Sequence, residues 1–122
     1  MNAMWRVVVG VLVVLLWPAM QPTADAGPVG GPIYKMDLVL PRATDVYNVT
    51  LRAGETTVIT VIGGNHTDLD LFVYDENSNL VGSDDDGTSV CIVSITPRWT
   101  GRFTIKVKNL GFEPNLYIMS LE

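Results

Sequence analysis

Four aspartates gathered around one strand pair are the residues of this chain best suited to chemistry. The stretch from Asn65 to Gly87 reads NHTDLDLFVYDENSNLVGSDDDG, with Asp68 and Asp70 entering a hydrophobic run and Asp84, Asp85 and Asp86 leaving the next. A three-residue hairpin loop, Glu76-Asn77-Ser78, with its third residue in the left-handed region would set Asp75 opposite Asn79. Asp70 then faces Asp84, and Asp68 faces Asp86. Side chains two apart share a face of a strand, and directly opposed Cβ atoms lie about 5 Å apart. Four carboxylates at one hairpin end repel unless a cation bridges them. Oxygen-only ligands favour a hard ion, and Ca²⁺ accepts irregular geometry more readily than Mg²⁺. The expectation is a calcium site built from Asp68, Asp70, Asp84 and Asp86. A two-residue loop would cancel the opposition and leave an acidic, solubilising turn, so both readings stand at this point.

Other reactive constellations are weaker. His66, the single histidine, lies in a polar turn without a nucleophile elbow or a glycine-rich oxyanion loop, so a serine triad is not expected. Asp68 and Asp70 as an acid and base pair would make a hydrolase, a distant alternative in a chain too short to build a cleft around them. Cys91, the single cysteine, sits in the alternation SVCIVSI and reads as a buried small hydrophobe, which excludes an internal disulfide. Trp99, in the turn Pro97-Arg98-Trp99-Thr100-Gly101, is a candidate partner contact, either a stacking platform for sugar or an anchor for a protein; the other reading folds it back over the domain edge. The triplets Asn48-Val49-Thr50 and Asn65-His66-Thr67 match the N-glycosylation pattern but are common by chance.

The elements that must hold these residues are strands. Ile33–Leu40 alternates, with Tyr34, Met36, Leu38 and Leu40 on one side, and stops at Pro41. Asp45–Leu51 alternates and turns at Arg52-Ala53-Gly54-Glu55, and Thr56–Ile62 (TTVITVI) is apolar on both faces, as an interior strand is. Asp68–Tyr74 and Leu80–Ser83 flank the acidic turn. Val90–Thr96 places Cys91, Val93 and Ile95 inward; Arg102–Lys108 places Phe103, Ile105 and Val107 inward; Asn115–Leu121 does so with Tyr117, Met119 and Leu121. About eight short strands, turn signals roughly every ten residues and no helical period predict an all-β antiparallel sandwich of jelly-roll or Greek-key type.

The chain of 122 residues opens with Arg6, an apolar run Val7–Trp17 and a small-x-small sequence Ala24-Asp25-Ala26, the pattern of a secretory signal peptide over 1–26. The apolar run is far short of the roughly 20 residues that cross a bilayer. Cleavage is the expectation and an uncleaved anchor its alternative; either way the protein is exported, to the periplasm or beyond. Residues 27–32 (GPVGGP) read as a flexible linker, and 33–122 as one small domain. Losing the leader removes Arg6 and Asp25 together, so the formal net charge of −5 persists, which argues against nucleic acid or anionic membrane as partner.

The runs VTLRAGETTVITV, DLDLFVYDENSNLVGSDDD and ITPRWTGRFTIKVKN, followed by YIMSL, resemble the bacterial pre-peptidase C-terminal (PPC) domain. The resemblance covers Asp45 to Leu121; its most specific pieces are Asp68-Leu69-Asp70-Leu71, Thr100-Gly101-x-Phe103 and Ala53-Gly54-Glu55. It implies an exported jelly-roll module without catalytic residues, carried by secreted proteases and other hydrolases, with calcium- and collagen-binding relatives in clostridial collagenases. The functional expectation is an accessory module that docks on a protein or an extracellular polymer. The alternative is a calcium-stabilised structural domain without a recognition role.

Overall fold

A computed structural model describes residues 27–64 and 67–122. Eight strands run β1 Ile33–Val39, β2 Thr44–Leu51, β3 Thr57–Gly63, β4 Leu69–Tyr74, β5 Leu80–Asp84, β6 Val90–Ile95, β7 Gly101–Asn109 and β8 Asn115–Leu121. They form two four-stranded sheets in the orders β1-β8-β3-β6 and β2-β7-β4-β5, with every pairing antiparallel. This is jelly-roll order, and the all-β sandwich expected from the alternation is the fold observed. The expected leader over 1–26 lies outside the described residues.

Six of the eight strands, β2, β3, β4, β6, β7 and β8, donate their apolar alternate residues to one core. Leu69, Leu71 and Val73 of β4 and Phe103, Ile105 and Val107 of β7 meet Ile59 and Val61 of β3, Cys91, Val93 and Ile95 of β6, and Tyr117, Met119 and Leu121 of β8. The inward sets anticipated for β6, β7 and β8 are those buried. The central position of β3, between β8 and β6, accounts for its β-branched sequence. β1 behaves differently: Tyr34, Met36 and Leu38 share a face, as the alternation requires, but that face points to solvent, and Leu40 beyond the strand end is also exposed.

The segment 27–32, expected to be a flexible linker, is tied to the sandwich. Pro28 bridges Leu51, Val29 N–H donates to Thr50 O at 2.9 Å, and a Cβ on Gly27 would lie 3.0 Å from the carbonyl carbon of Glu122. Backbone groups that would otherwise be left unpaired beside β2 explain the attachment.

Two buried asparagines close the strand ends nearest the acidic stretch. Asn109 donates from Nδ2 to the carbonyls of Val39, Leu40 and Glu113, and its Oδ1 accepts from Gly111 N–H at 2.9 Å. Asn115 accepts from Gly64 N–H at 2.7 Å and donates to Thr67 Oγ1 at 2.5 Å. Buried backbone groups left without such partners cost about 1–3 kcal/mol each. Asn109→Ala is therefore expected to lower the unfolding free energy by about 2–4 kcal/mol in a urea titration; a loss under about 0.5 kcal/mol would show that water replaces the clamp.

The acidic end and the Trp99 groove as candidate functional sites

The hairpin loop forms as the spacing predicts. Asp75 N–H donates to Asn79 O at 2.9 Å, Ser78 N–H donates to Asp75 O at 3.0 Å, and Ser78 adopts φ 65°. The Asp75 carboxylate accepts from the N–H groups of Asn77 and Asn79 and from Asn79 Nδ2. These bonds, led by that from the Asn79 backbone, hold its pKa below the usual carboxylate value.

The register beyond the loop is not the expected one. Tyr74 pairs with Leu80, but a β-bulge follows, after which Val73 pairs with Gly82 and Leu71 with Asp84. The extra residue, Val81, flips the remainder of β5 to the other face. Its cause lies across the core: Gly82 points inward, where a Cβ would come within 2.6 Å of Val93 Cγ1 and 2.8 Å of Ile95 Cδ1. Only glycine fits this approach of β5 to β6.

Asp70 and Asp84 consequently stand on opposite faces of their sheet. Asp84 shares the inner side with Leu71, and its Oδ2 accepts from Ile92 N–H of β6 at 2.9 Å, joining the edges of the two sheets. Asp86 turns back on its own loop, its Oδ1 accepting from Thr88 N–H at 3.1 Å and Thr88 Oγ1 at 2.9 Å. The pairing of Asp68 with Asp86 and of Asp70 with Asp84 is thus replaced. Among the described residues no three histidine, cysteine, aspartate or glutamate side chains converge in a group able to hold a metal.

Asp68 and Asp70 each retain an oxygen that the surrounding protein does not satisfy. Asp68 Oδ1 and Asp70 Oδ1 are buried without a hydrogen-bond partner. Burial raises both pKa values; Asp86 and Asp85 add to the effect at Asp68, and Asp68 and Asp85 add to it at Asp70, where Lys108 opposes. Lys108 is the cross-strand partner of Asp70. Cys91 lies beneath, its Sγ donating to Leu69 O at 3.1 Å, and burial first, then the neighbouring aspartates, pushes the thiol up to about 12. It is the inert core thiol that its alternation implies.

At the other end of the sandwich a groove of about 340 Å³ opens between β5 and the loop after β6, lined by Asp75, Val81, Ile95, Arg98, Trp99 and Phe103 among others. Trp99 is 41% exposed. Its ring also leans on Gly101, where a Cβ would lie 3.1 Å from Trp99 Cδ1 and 2.7 Å from Glu76 Oε1. Trp99 therefore combines both sequence readings: it folds over the sandwich edge and still presents surface to a groove. Arg98 and Val81 escaped the sequence reading, because the bulge that brings β5 beside this loop leaves no composition signal beyond Gly82.

A family model described as the bacterial pre-peptidase C-terminal domain matches residues 43–109. The chain belongs to that family. The matched span runs from the residue before β2 to the end of β7, so it contains the acidic stretch and Trp99. Among solved structures, the fold is similar to the pre-peptidase C-terminal domain of a Bacillus anthracis collagenase, with a TM-score of 0.60 and 14% identity over 74% of this chain and 88% of that one. It is also similar to Aeromonas hydrophila PliG, a periplasmic inhibitor of g-type lysozyme, with a TM-score of 0.56 and 14% identity over 84% of this chain and 91% of that one. No curated protein matches the sequence. In this family the PPC domain is a non-catalytic accessory unit.

The carboxylates of this PPC domain set opposing pH dependences. Asp68 and Asp70 have raised pKa values, so their contribution to stability is fully present below about pH 3.9 and is lost as pH rises through the raised values. Asp75, with its lowered pKa, contributes above about pH 3.9 and loses that contribution as pH falls through the lowered value. Asp70→Asn removes a buried charge, so in chelator-treated buffer it should unfold about 1 kcal/mol less readily than the parent at pH 7. That advantage should vanish below pH 4. A variant less stable than the parent at pH 7 would show that attraction to Lys108 outweighs desolvation.

Proposed function

We propose that this chain is an exported, non-catalytic accessory module that docks on a secreted hydrolase through the Trp99 groove. The observation carrying the proposal is the groove itself: buried Ile95, Phe103 and Asp75 line it together with Arg98 and the exposed side chains of Val81 and Trp99. Its volume is in the range that admits a partner side chain, and Trp and Arg are the residues over-represented where binding energy concentrates. The family and its two fold neighbours support a hydrolase as partner, one being a domain of a collagenase and the other an inhibitor of lysozyme. Envelope components and matrix polymers are the other surfaces that such a module could serve.

The test exploits a feature of composition. From Gly27 onward Trp99 is the only tryptophan, Trp5 and Trp17 lying in the leader. Titrating a chain that begins at Gly27 with a secreted collagenase or a g-type lysozyme is expected to give a saturable change in Trp99 emission. Calorimetry with Trp99→Ala should show binding weakened by about 30-fold, the equivalent of a 2 kcal/mol hot spot. Binding that is indifferent to Trp99→Ala, or no binding to either hydrolase, would defeat the proposal.

The unpartnered oxygens of Asp68 and Asp70 favour a second role for the same module, uptake of a stabilising calcium ion at the acidic end. Both oxygens are hard donors and both carboxylates are destabilised by burial, a cost that a bound cation would offset. Asp68 and Asp70 would hold the ion; Asp84 and Asp86 are engaged elsewhere. Calcium at a hundredfold excess over its dissociation constant should raise the melting temperature by about 10 °C. Asp68→Asn combined with Asp70→Asn should abolish the rise. An unchanged melting temperature in the parent would remove calcium from the account.

A further inference from the structure

The outer sides of the two sheets differ in kind. That of β2-β7-β4-β5 is solvated in the ordinary way, with Arg102, Thr104, Lys106 and Lys108 of β7 alternating against the core residues and Lys106 Nζ 4.9 Å from the centre of the Tyr74 ring. That of β1-β8-β3-β6 carries charge only at one corner, where Glu122 accepts from Tyr34 Oη at 2.9 Å. Pairing sets Met36 beside Ile118, Ile118 beside Ile62, and Ile62 beside Val90, an unbroken apolar row across all four strands. Their exposures are 68%, 49%, 52% and 45%. Leu38 with Leu116, and Ile92 opposite Thr60, extend the row on either side.

β1 makes the arrangement harder to attribute to chance. Its Lys35 and Asp37 occupy the side facing the second sheet, where Asp37 accepts a hydrogen bond from Tyr47 Oη at 3.0 Å. Its apolar residues face out. A shift of one residue in pairing would reverse this, yet the registry with β8 holds over seven pairs. The strand is amphipathic toward something that lies outside the sandwich.

We infer that the outer face of the β1-β8-β3-β6 sheet is the contact between two copies of this chain, packed sheet on sheet about a two-fold axis. The seven apolar residues of these rows are each 45–68% exposed and contiguous across four strands, an apolar patch of the kind that marks an interaction surface. Recognition of a different protein relies on charge and hydrogen-bond registration. Away from the Tyr34–Glu122 corner, this face offers the hydroxyls of Thr60, Ser94 and Ser120 and no charged group for that purpose. An isologous contact needs no such code, since the same apolar rows meet themselves and two copies with net charge −5 meet along rows that hold no charged side chain. The Trp99 groove opens between the sheet edges, so a dimer presents two of them.

Sedimentation equilibrium on the full chain, expressed with its own N-terminal segment and recovered from the exported fraction, tests this over micromolar to hundreds of micromolar concentration. The parent should reach twice the monomer mass. Ile118→Asp, which enters the contact twice, should weaken association at least about 100-fold with an unchanged β-sheet circular dichroism spectrum. Met36→Asp, at the most exposed position of the row, should do the same and keeps the test valid where Ile118→Asp fails to fold. Trp99→Ala should leave the dimer intact, which separates this inference from the docking reading. A parent that stays monomeric throughout, or a dimer indifferent to both aspartate variants, overturns the inference. So does a monomer whose binding to phosphatidylcholine vesicles is lost in both variants, since lipid would then be the occupant.

Discussion

Burial of one side of β2, β3, β4, β6, β7 and β8 in a single core is the constraint on which the remaining features depend. Side chains alternate with a period of two, so fixing Leu71, Val73, Ile105 and Val107 in the interior also fixes which residues reach solvent and which strands can face one another. The acidic end, the Trp99 groove and the apolar outer sheet are all consequences of that one choice of face. None is an independently built site. Even the buried Tyr117 follows this rule, its hydroxyl leaving the core only far enough to donate to Asp45 Oδ2 at 2.7 Å.

The constraint is relaxed at one place. Where β5 approaches β6, there is room for glycine alone, and the bulge at Val81 lets Gly82 occupy that position. The same bulge sends Asp84 inward to hold the β6 edge and leaves Asp70 on the outer side beside Lys108. An apolar packing requirement at one end of the hairpin thereby decides the electrostatics of the other. Asp70 is left buried and Asp68 half-buried, each with an unpartnered Oδ1, and the pair rather than a tetrad defines the acidic end.

The strands and their inward faces were legible in the sequence because alternation reports burial directly. β6, β7 and β8 each read correctly down to the individual inward side chains, and the loop at Glu76-Asn77-Ser78 followed from its turn chemistry. The bulge was not legible. Its signal is a single glycine in LVGSD, and a glycine in a short strand is consistent with several local structures. Nor could β1 be oriented from sequence, because its apolar face is directed away from the core that a reader assumes it serves. Asn115 read only as the first residue of a strand and Asn109 carried no signal, and only tertiary packing shows them gripping the loops. Residues 1–26, where a leader is expected, and residues 65–66, His66 included, lie outside the described residues.

A family assignment, a groove bearing a tryptophan and a largely apolar outer sheet are the features on which the proposed docking and pairing rest. The registers of β4 with β5 and of β3 with β8 hold that account together. Cross-strand nuclear Overhauser contacts in solution measure them most directly. The account predicts Hα or amide contacts linking Leu71 with Asp84 and Ile62 with Ile118, as the pairing requires. Contacts linking Asp70 with Asp84 instead would erase the bulge, return four aspartates to one face and contradict the arrangement described for the acidic end.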